Sequence, residues 1–311
     1  MYDLIIIGGG PAGLTAGLYA ARARLNTILL EKFAPGGQIL TTDWVENYPG
    51  FPDGISGFEL IDRMKNQAEK FGLSIESQEV IRLDLDGETK IVHTDKGKLE
   101  TVGIVLATGA FPQKLGVEGE GLLTGKGVSY CATCDGPFYR DQEVAVIGGG
   151  DTAVEEALFL TRFASKVHLI HRRDKLRATQ LLQERAMASE KIHIIWDTVC
   201  ARITGATGVE GLDLRNVKTG EISFLPVQGA FIFIGYSPNN QLVDGLLKTD
   251  DYGFVVTDEN MQTSVPGVFA GGDIRSKQLR QVSTAVGEGA AATFAAEKYI
   301  EDLKAHRETF G

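Results

Sequence analysis

Short, wholly apolar runs alternate with glycine-rich breaks along this chain, and their order repeats. Leu4-Ile5-Ile6-Ile7 offers no polar position to either face. Such a run predicts a strand covered on both sides, as in a parallel sheet. Gly8-Gly9-Gly10-Pro11-Ala12-Gly13 follows, then a helical stretch from Leu14 to Arg24. A second strand, Thr27-Ile28-Leu29-Leu30, ends at Glu31. The same series returns at Val144-Ala145-Val146-Ile147, with Gly148-Gly149-Gly150-Asp151-Thr152-Ala153, a helix from Val154 to about Phe163, and the strand Val167-His168-Leu169-Ile170. Two strand–loop–helix–strand units are predicted, and the fold class is α/β with two Rossmann-like dinucleotide-binding domains.

The glycine spacing has a physical reason. The first glycine permits a tight turn, the second lets the backbone approach a pyrophosphate, and the third small residue lets helix and strand pack closely. The phosphates then meet free N–H groups at the helix N-terminus. One such loop is a weak signal, but here there are two, each with the right flanks. Twenty-one residues separate Gly10 from Glu31, and twenty-one separate Gly150 from His171. At that register the first unit has a carboxylate, and the second has His171-Arg172-Arg173. A carboxylate accepts hydrogen bonds from a ribose 2′-OH and repels a 2′-phosphate; arginines bind one. The first unit therefore suits an unphosphorylated adenosine and the second NADPH, with Arg177 as a further positive charge; two dinucleotides in one chain suggest FAD plus NADPH.

Two later runs fit the flavin side. Ile104-Val105-Leu106-Ala107-Thr108-Gly109 reads as a buried strand ending in a turn, and Gly267-Val268-Phe269-Ala270-Gly271-Gly272-Asp273 as another with an acid at its carboxyl edge. After Arg280-Gln281-Val282-Ser283 an alanine-rich helix is expected to about Leu303. The FAD domain is thus expected in two parts, 1–112 and 242–311, with the NADPH domain, 113–241, inserted between them. Crossings near Ala110 to Val117 and Gly235 to Leu242 contain proline and glycine and read as paired hinges.

Composition narrows the partners. There are 31 basic and 41 acidic side chains, a formal charge of −10. That balance disfavours nucleic acid and anionic membranes, which need a basic face. No apolar run approaches the roughly 18 residues of a membrane helix. The N-terminus enters a strand at once and shows no secretion signal, so a cytoplasmic location is expected.

Three cysteines remain, Cys131, Cys134 and Cys200. Val128-Ser129-Tyr130-Cys131-Ala132-Thr133-Cys134-Asp135 places two of them three positions apart beside a carboxylate. A metal site, a structural staple and a redox dithiol all begin with such a pair. A structural zinc site wants four ligands, and the histidines show no matching spacing, so no metal is expected. A reducing cytosol disfavours a staple. Beside two dinucleotide loops, a redox dithiol is the stronger reading. Cys200 reads as a core thiol.

These segments together resemble the low-molecular-weight, bacterial-type thioredoxin reductases. The resemblance covers essentially the whole chain. It is carried by the two glycine loops, Gly36-Gly37-Gln38 with Val45-Glu46-Asn47-Tyr48-Pro49-Gly50, Ala107-Thr108-Gly109, Cys131-Ala132-Thr133-Cys134-Asp135-Gly136, His171-Arg172-Arg173-Asp174, Gly271-Gly272-Asp273 and Arg280-Gln281. It implies a homodimer with FAD, NADPH and one redox disulfide per chain, reducing thioredoxin. Cys134 would lie against the flavin, Cys131 would attack the thioredoxin disulfide, and Asp135 would serve as the acid or base. Phe138 would touch thioredoxin. FAD contacts would fall at Gly8, Gly10, Pro11, Ala12, Gly13, Glu31, Lys32, Gly37, Gln38, Thr42, Asn47, Ala107, Thr108, Gly109, Gly272, Asp273, Arg280, Gln281 and Val282. NADPH contacts would fall at Gly148, Gly150, Asp151, Thr152, His171, Arg172, Arg173 and Arg177. Ile274 to Leu279 departs from the usual run, which often carries a second acid and a tyrosine.

The layout implies motion. The cysteines and the nicotinamide ride on one domain and the flavin belongs to the other, so a rotation about the hinges would present them in turn. Two alternatives stand beside this reading. A related flavin-disulfide enzyme would serve another partner, although Arg172 and Arg173 argue against a ferredoxin donor. The lack of an N-terminal extension argues against a reductase carrying its own thioredoxin-like domain. A redox sensor would bind nucleotide without FAD.

Overall fold

A computed structural model describes residues 1–41 and 44–310. The chain forms two units. One comprises Met1–Phe111 with Ser237–Gly311, and the other Pro112–Tyr236.

In the first unit the strand Tyr2–Ile7 is central. It pairs in parallel with Thr27–Glu31 on one side and Gly97–Leu106 on the other. Ser74–Ser77 extends the sheet beyond Thr27–Glu31, and Val268–Ala270 pairs in parallel with the end of Gly97–Leu106. Val80–Asp84 and Lys90–Thr94 form an antiparallel extension. Successive strand side chains face opposite ways. Leu4 and Ile6 therefore join a core with Leu14, Phe269, Ala292 and Ile300, while Ile5 and Ile7 join another with Ile28, Leu106, Val243 and Val255. Both faces are covered, which is why the run tolerates no polar residue.

The helix Pro11–Arg22 begins three residues before the expected Leu14. Proline suits the first helical turn, where its missing N–H has no intrahelical partner in any case. The second helix, Asp151–Leu160, is offset in the same direction. The C-terminal helix runs Val282–Phe310, past the expected Leu303. It packs on Pro11–Arg22 through small residues. A Cβ on Gly289 would lie 2.2 Å from the Ala12 carbonyl oxygen, and the Thr293 hydroxyl donates to the Ala16 carbonyl at 3.1 Å.

In the second unit five parallel strands lie in the order Ile192–Ile195, Lys166–Ile170, Glu143–Gly148, Gly229–Phe233, Val128–Ser129. One face packs on the Asp151–Leu160 helix through Val144, Val146, Val154 and Leu160. An antiparallel meander, Thr198–Thr204, Gly211–Asn216 and Ile222–Pro226, covers the other through Ile203, Leu212 and Leu214. Cys200 is buried in that layer, and burial pushes its thiol up to about 12. A thiol held neutral is a poor nucleophile.

Candidate active site

The redox turn grows out of the edge strand Val128–Ser129. Cys131 caps the four-residue helix Ala132–Asp135, and Gly136–Tyr139 continues it as a 3₁₀ turn. Ala132 is fully buried and Gly136 lies against Phe159, Leu160 and Phe163, so the turn is seated on the Asp151–Leu160 helix and the segment after it. Tyr139 anchors the far end, its ring edge-on to Phe231 at 5.2 Å. Burial, with the Asp135 charge, pushes its phenol up to about 12.

Cys131 and Cys134 form a disulfide, with Cα atoms 5.3 Å apart. The Cys131 sulfur accepts the Cys134 N–H at 3.2 Å and lies 3.3 Å from the Thr133 hydroxyl. The Ser129 hydroxyl oxygen accepts the Cys131 N–H at 3.1 Å. Asp135 is next in sequence and half-buried. Phe138 is 48% exposed beside it.

Tyr130 ties the turn to its surroundings. Its phenol donates to Glu120 at 2.8 Å, and its carbonyl accepts from the Tyr236 hydroxyl at 3.0 Å. Glu120 also accepts the N–H groups of Leu115 and Gly116 at 2.9 and 2.7 Å. Glu120 and Tyr236 did not stand out in the sequence, since no motif marks a buried carboxylate before folding places it.

The first glycine loop is shaped as a cradle. Gly8 has φ +108, and a Cβ there would meet the Ala107 carbonyl oxygen at 2.4 Å; one on Gly13 would meet the Gly8 oxygen at 1.8 Å. Glu31 accepts the Gly9 N–H at 2.7 Å, and the Gly9 carbonyl accepts the Gly36 N–H at 2.8 Å. That brings Gly10, Gly37 and the 3₁₀ turn holding Gln38 to one place. Lys32 pairs instead with Glu79 at 2.7 Å, on the surface. Asn47 donates to Gln281 at 3.0 Å, across 234 residues of sequence. Thr108 and Asn239 exchange two hydrogen bonds, at 2.8 and 3.0 Å, and Asn239 donates its own N–H to Gly109 at 2.9 Å. Gly272, with φ +80, abuts Ala12, so the Asp273 turn meets the first helix at Pro11–Gly13. Val282 opens the C-terminal helix, and the Arg280 guanidinium lies 4.1 Å from the centre of the Phe254 ring. Thr42 lies outside the described residues.

Asp273 is the most informative of these side chains. Its Oδ1 is buried and finds no hydrogen-bond partner; Lys277 Nζ lies 3.1 Å away as an ion-pair partner. Burial holds its carboxyl above the ordinary range, against the pull of Lys277 and Arg280. A buried acceptor without a donor, beside a loop closed to a Cβ at Gly8 and Gly13, fits a hydroxyl-bearing dinucleotide.

In the second loop a Cβ on Gly148 would lie 2.4 Å from the Phe233 oxygen, and one on Gly149 2.1 Å from His171 Nδ1. His171 is buried, and its ring nitrogens lie 3.0 Å from the carbonyls of Gly148 and Lys175. Burial lowers its pKa, favouring the neutral ring. Asp151 accepts the Thr179 N–H at 2.7 Å, and the Arg177 N–H reaches the Gly149 carbonyl at 2.7 Å. Gly150 caps the Asp151–Leu160 helix and Thr152 is exposed in its first turn. Arg172, Arg173 and Arg177 are all exposed.

Two glycine cradles and one redox pair define a flavin- and nucleotide-dependent disulfide oxidoreductase. The model of the pyridine nucleotide-disulphide oxidoreductase family matches residues 2–289, and the chain belongs to that family, whose cofactors here are FAD and NADPH. A thioredoxin reductase of Peptoclostridium litorale is 50% identical over 309 residues, covering 97% of this chain and 98% of the relative. One from Listeria monocytogenes is 48% identical over 305 residues, with 98% and 95% covered. The crystal structure of thioredoxin reductase from Streptococcus pyogenes matches with a TM-score of 0.92 at 48% identity, covering 97% of this chain and 99% of that one. The Lactococcus lactis enzyme, described as in the FR conformation, matches with a TM-score of 0.67 at 46% identity, covering 97% and 100%.

Proposed function

We propose that the chain reduces the disulfide of thioredoxin at the expense of NADPH, with Cys131 and Cys134 as the working pair. The observation that carries this is the seating of that disulfide on the helix that follows the second glycine loop. Bound FAD supplies the relay by which electrons from NADPH reach the disulfide.

The protein's own part is thiol chemistry. Once reduced, the Cys131 thiolate attacks the thioredoxin disulfide, forming a mixed disulfide and releasing one thioredoxin thiolate. Cys134 then attacks the Cys131 sulfur, so that reduced thioredoxin leaves and the internal disulfide re-forms. The Cys134 N–H and the Thr133 hydroxyl beside the Cys131 sulfur favour its thiolate. Asp135 gives or takes the proton, and Phe138 offers an apolar contact to the incoming protein.

The domain expected over 1–112 and 242–311, with Glu31 and Asp273, holds FAD, and the one expected over 113–241 holds NADPH; the units themselves divide a few residues earlier, at Pro112 and Ser237. Glu31 and the Asn47–Gln281 pair belong to the flavin side with the glycine cradle. Arg172, Arg173 and Arg177 take the 2′-phosphate, and His171 stiffens the loop they flank. The enzyme is a cytoplasmic homodimer, for which sedimentation is the direct check. Among the described residues no helix is long and apolar enough to cross a membrane. The domain rotation is part of this reading.

The test is an anaerobic titration followed by flavin absorbance. NADPH should bleach the flavin at far lower concentration than NADH, and oxidised thioredoxin should restore the colour. Cys131→Ser and Cys134→Ser should bleach but fail to pass electrons on. Bleaching that thioredoxin does not reverse would move the activity to another disulfide, and a colourless protein would favour a sensor.

A further inference from the structure

The segment from Ile274 to Leu279 folds back on the FAD-side unit. Arg275 and Lys277 have side chains only 13% and 10% exposed. Both turn to Glu288 of the C-terminal helix. Arg275 Nη1 lies 3.0 Å from Oε1, and Lys277 Nζ lies 3.1 Å from Oε2. Glu288 Oε2 also accepts the Gly272 N–H at 2.8 Å. Arg275 is further fixed by its Nε–H donating to the Thr257 hydroxyl at 2.8 Å.

Glu288 is already served without Lys277, because Arg275 takes one oxygen and the Gly272 N–H the other. Asp273 is not. The ammonium 3.1 Å from its Oδ1 is the close cation, and that oxygen has no hydrogen-bond donor. Burying a fourth charge is costly unless it has work to do. Here the cation would hold Asp273 ionised while leaving its acceptor direction open.

We propose that Lys277 is a positioning residue of the FAD site: anchored on Glu288, it keeps Asp273 a carboxylate whose unfilled oxygen receives a hydroxyl of the bound dinucleotide. This rests on the reading that Asp273 faces FAD. The charged groups around Asp273 are Lys277 and Arg280, which favour its ionised form, and Glu288, which opposes it; Arg275 offsets Glu288 from its other oxygen.

FAD affinity of the stripped protein, measured by fluorescence quenching between pH 6 and 8, is the readout. Lys277→Met should weaken FAD about tenfold, the worth of one charge-assisted hydrogen bond. The loss should deepen as the pH falls, because burial already favours the protonated Asp273 carboxyl and the neutral variant no longer opposes it. Lys277→Arg should restore both affinity and profile. Should Lys277→Met not fold, Lys277→Gln replaces it: uncharged, it should show the same acid steepening. Unchanged affinity and a flat profile in the neutral variants would overturn the role of Lys277. Asp273→Asn separates the two readings. If it weakens FAD while the Lys277 variants do not, only the lysine proposal fails. If it binds FAD normally, the assignment of Asp273 fails as well.

Discussion

The Tyr130 phenol donates to Glu120 Oε1 at 2.8 Å, one residue before Cys131. Glu120 is 2% exposed, yet its two oxygens take three donors, the phenol and two backbone N–H groups. Removing the carboxylate orphans all three. Glu120→Ala should therefore cost about 3–5 kcal/mol in the second unit, whereas Tyr130→Phe, which loses one bond, should cost about 1–2 kcal/mol. Hydrogen exchange in the Val128–Ser129 and Gly229–Phe233 strands would read both. Equal effects would mean that the carboxylate does not organise the segment.

Two glycines two residues apart on the C-terminal helix should respond in opposite ways. Gly287 is exposed and a Cβ there meets nothing within 4 Å, so Gly287→Ala should stabilise by about 0.5–1 kcal/mol. Gly289 faces the Ala12 backbone, with a Cβ 2.2 Å from its oxygen. Gly289→Ala should cost about 3 kcal/mol or more and weaken FAD retention, since neither backbone can move without moving the glycine cradle. Thermal melting with flavin release as the signal checks the pair.

Acid and alkali should stress the second unit for different reasons. His168 is buried, and burial holds its imidazole below the ordinary value, with Lys166 and His193 adding to the effect and Glu143 pulling the other way. Folding prefers its neutral form, so its contribution is complete above about 6.5 and fades as the pH falls below that. His171 shifts in the same direction, chiefly through burial. Exchange protection of the Glu143–Gly148 and Lys166–Ile170 strands should drop between pH 7.5 and 5.5, and less so in His168→Gln.

Glu156 carries the opposite sign. Burial and neighbouring Glu155 push its carboxyl up to about 6, the Ala132 N–H pulling back. Its oxygen Oε2 is buried without a hydrogen-bond partner. Folding prefers the protonated form, so stability is full below about 4.5 and is lost as the pH rises through 6. Glu156→Gln should stabilise by about 1–2 kcal/mol at pH 8 and leave stability unchanged at pH 4.5.

Replacing Arg172 and Arg173 by neutral residues should cost on the order of 2–4 kcal/mol in NADPH preference over NADH, from two charge-assisted contacts. An unchanged preference would make them ordinary surface charge.

The parts of the molecule set by local pattern were readable in advance. Leu4–Ile7 and Val144–Ile147 had to be two-sided strands, and the equal spacing to Glu31 and His171 marked two units in register. Both helices start three residues before the position the apolar pattern predicts, because the glycine loop runs into the first turn, where Pro11 and Asp151 are already helical. His171 looked like one of a basic trio, but its ring lies under the backbone while the arginines stay outside. The Asn47–Gln281 bond joins residues 234 apart in sequence, the Glu288 cluster forms across the turn into the C-terminal helix, and buried charges follow no period.

The way the first core closes has a consequence for synthesis. Leu4, Ile6 and Leu14 are covered by Ala292, Ala296 and Ile300, which leave the ribosome long after the strand and helix they cover. The nascent flavin cradle must wait with its sheet uncovered while Pro112–Tyr236, contiguous in sequence, completes its fold first. Cofactor loading is thereby deferred until the helix Val282–Phe310 has been made, and a chain stalled before it would carry a finished redox turn but no cradle able to hold its flavin.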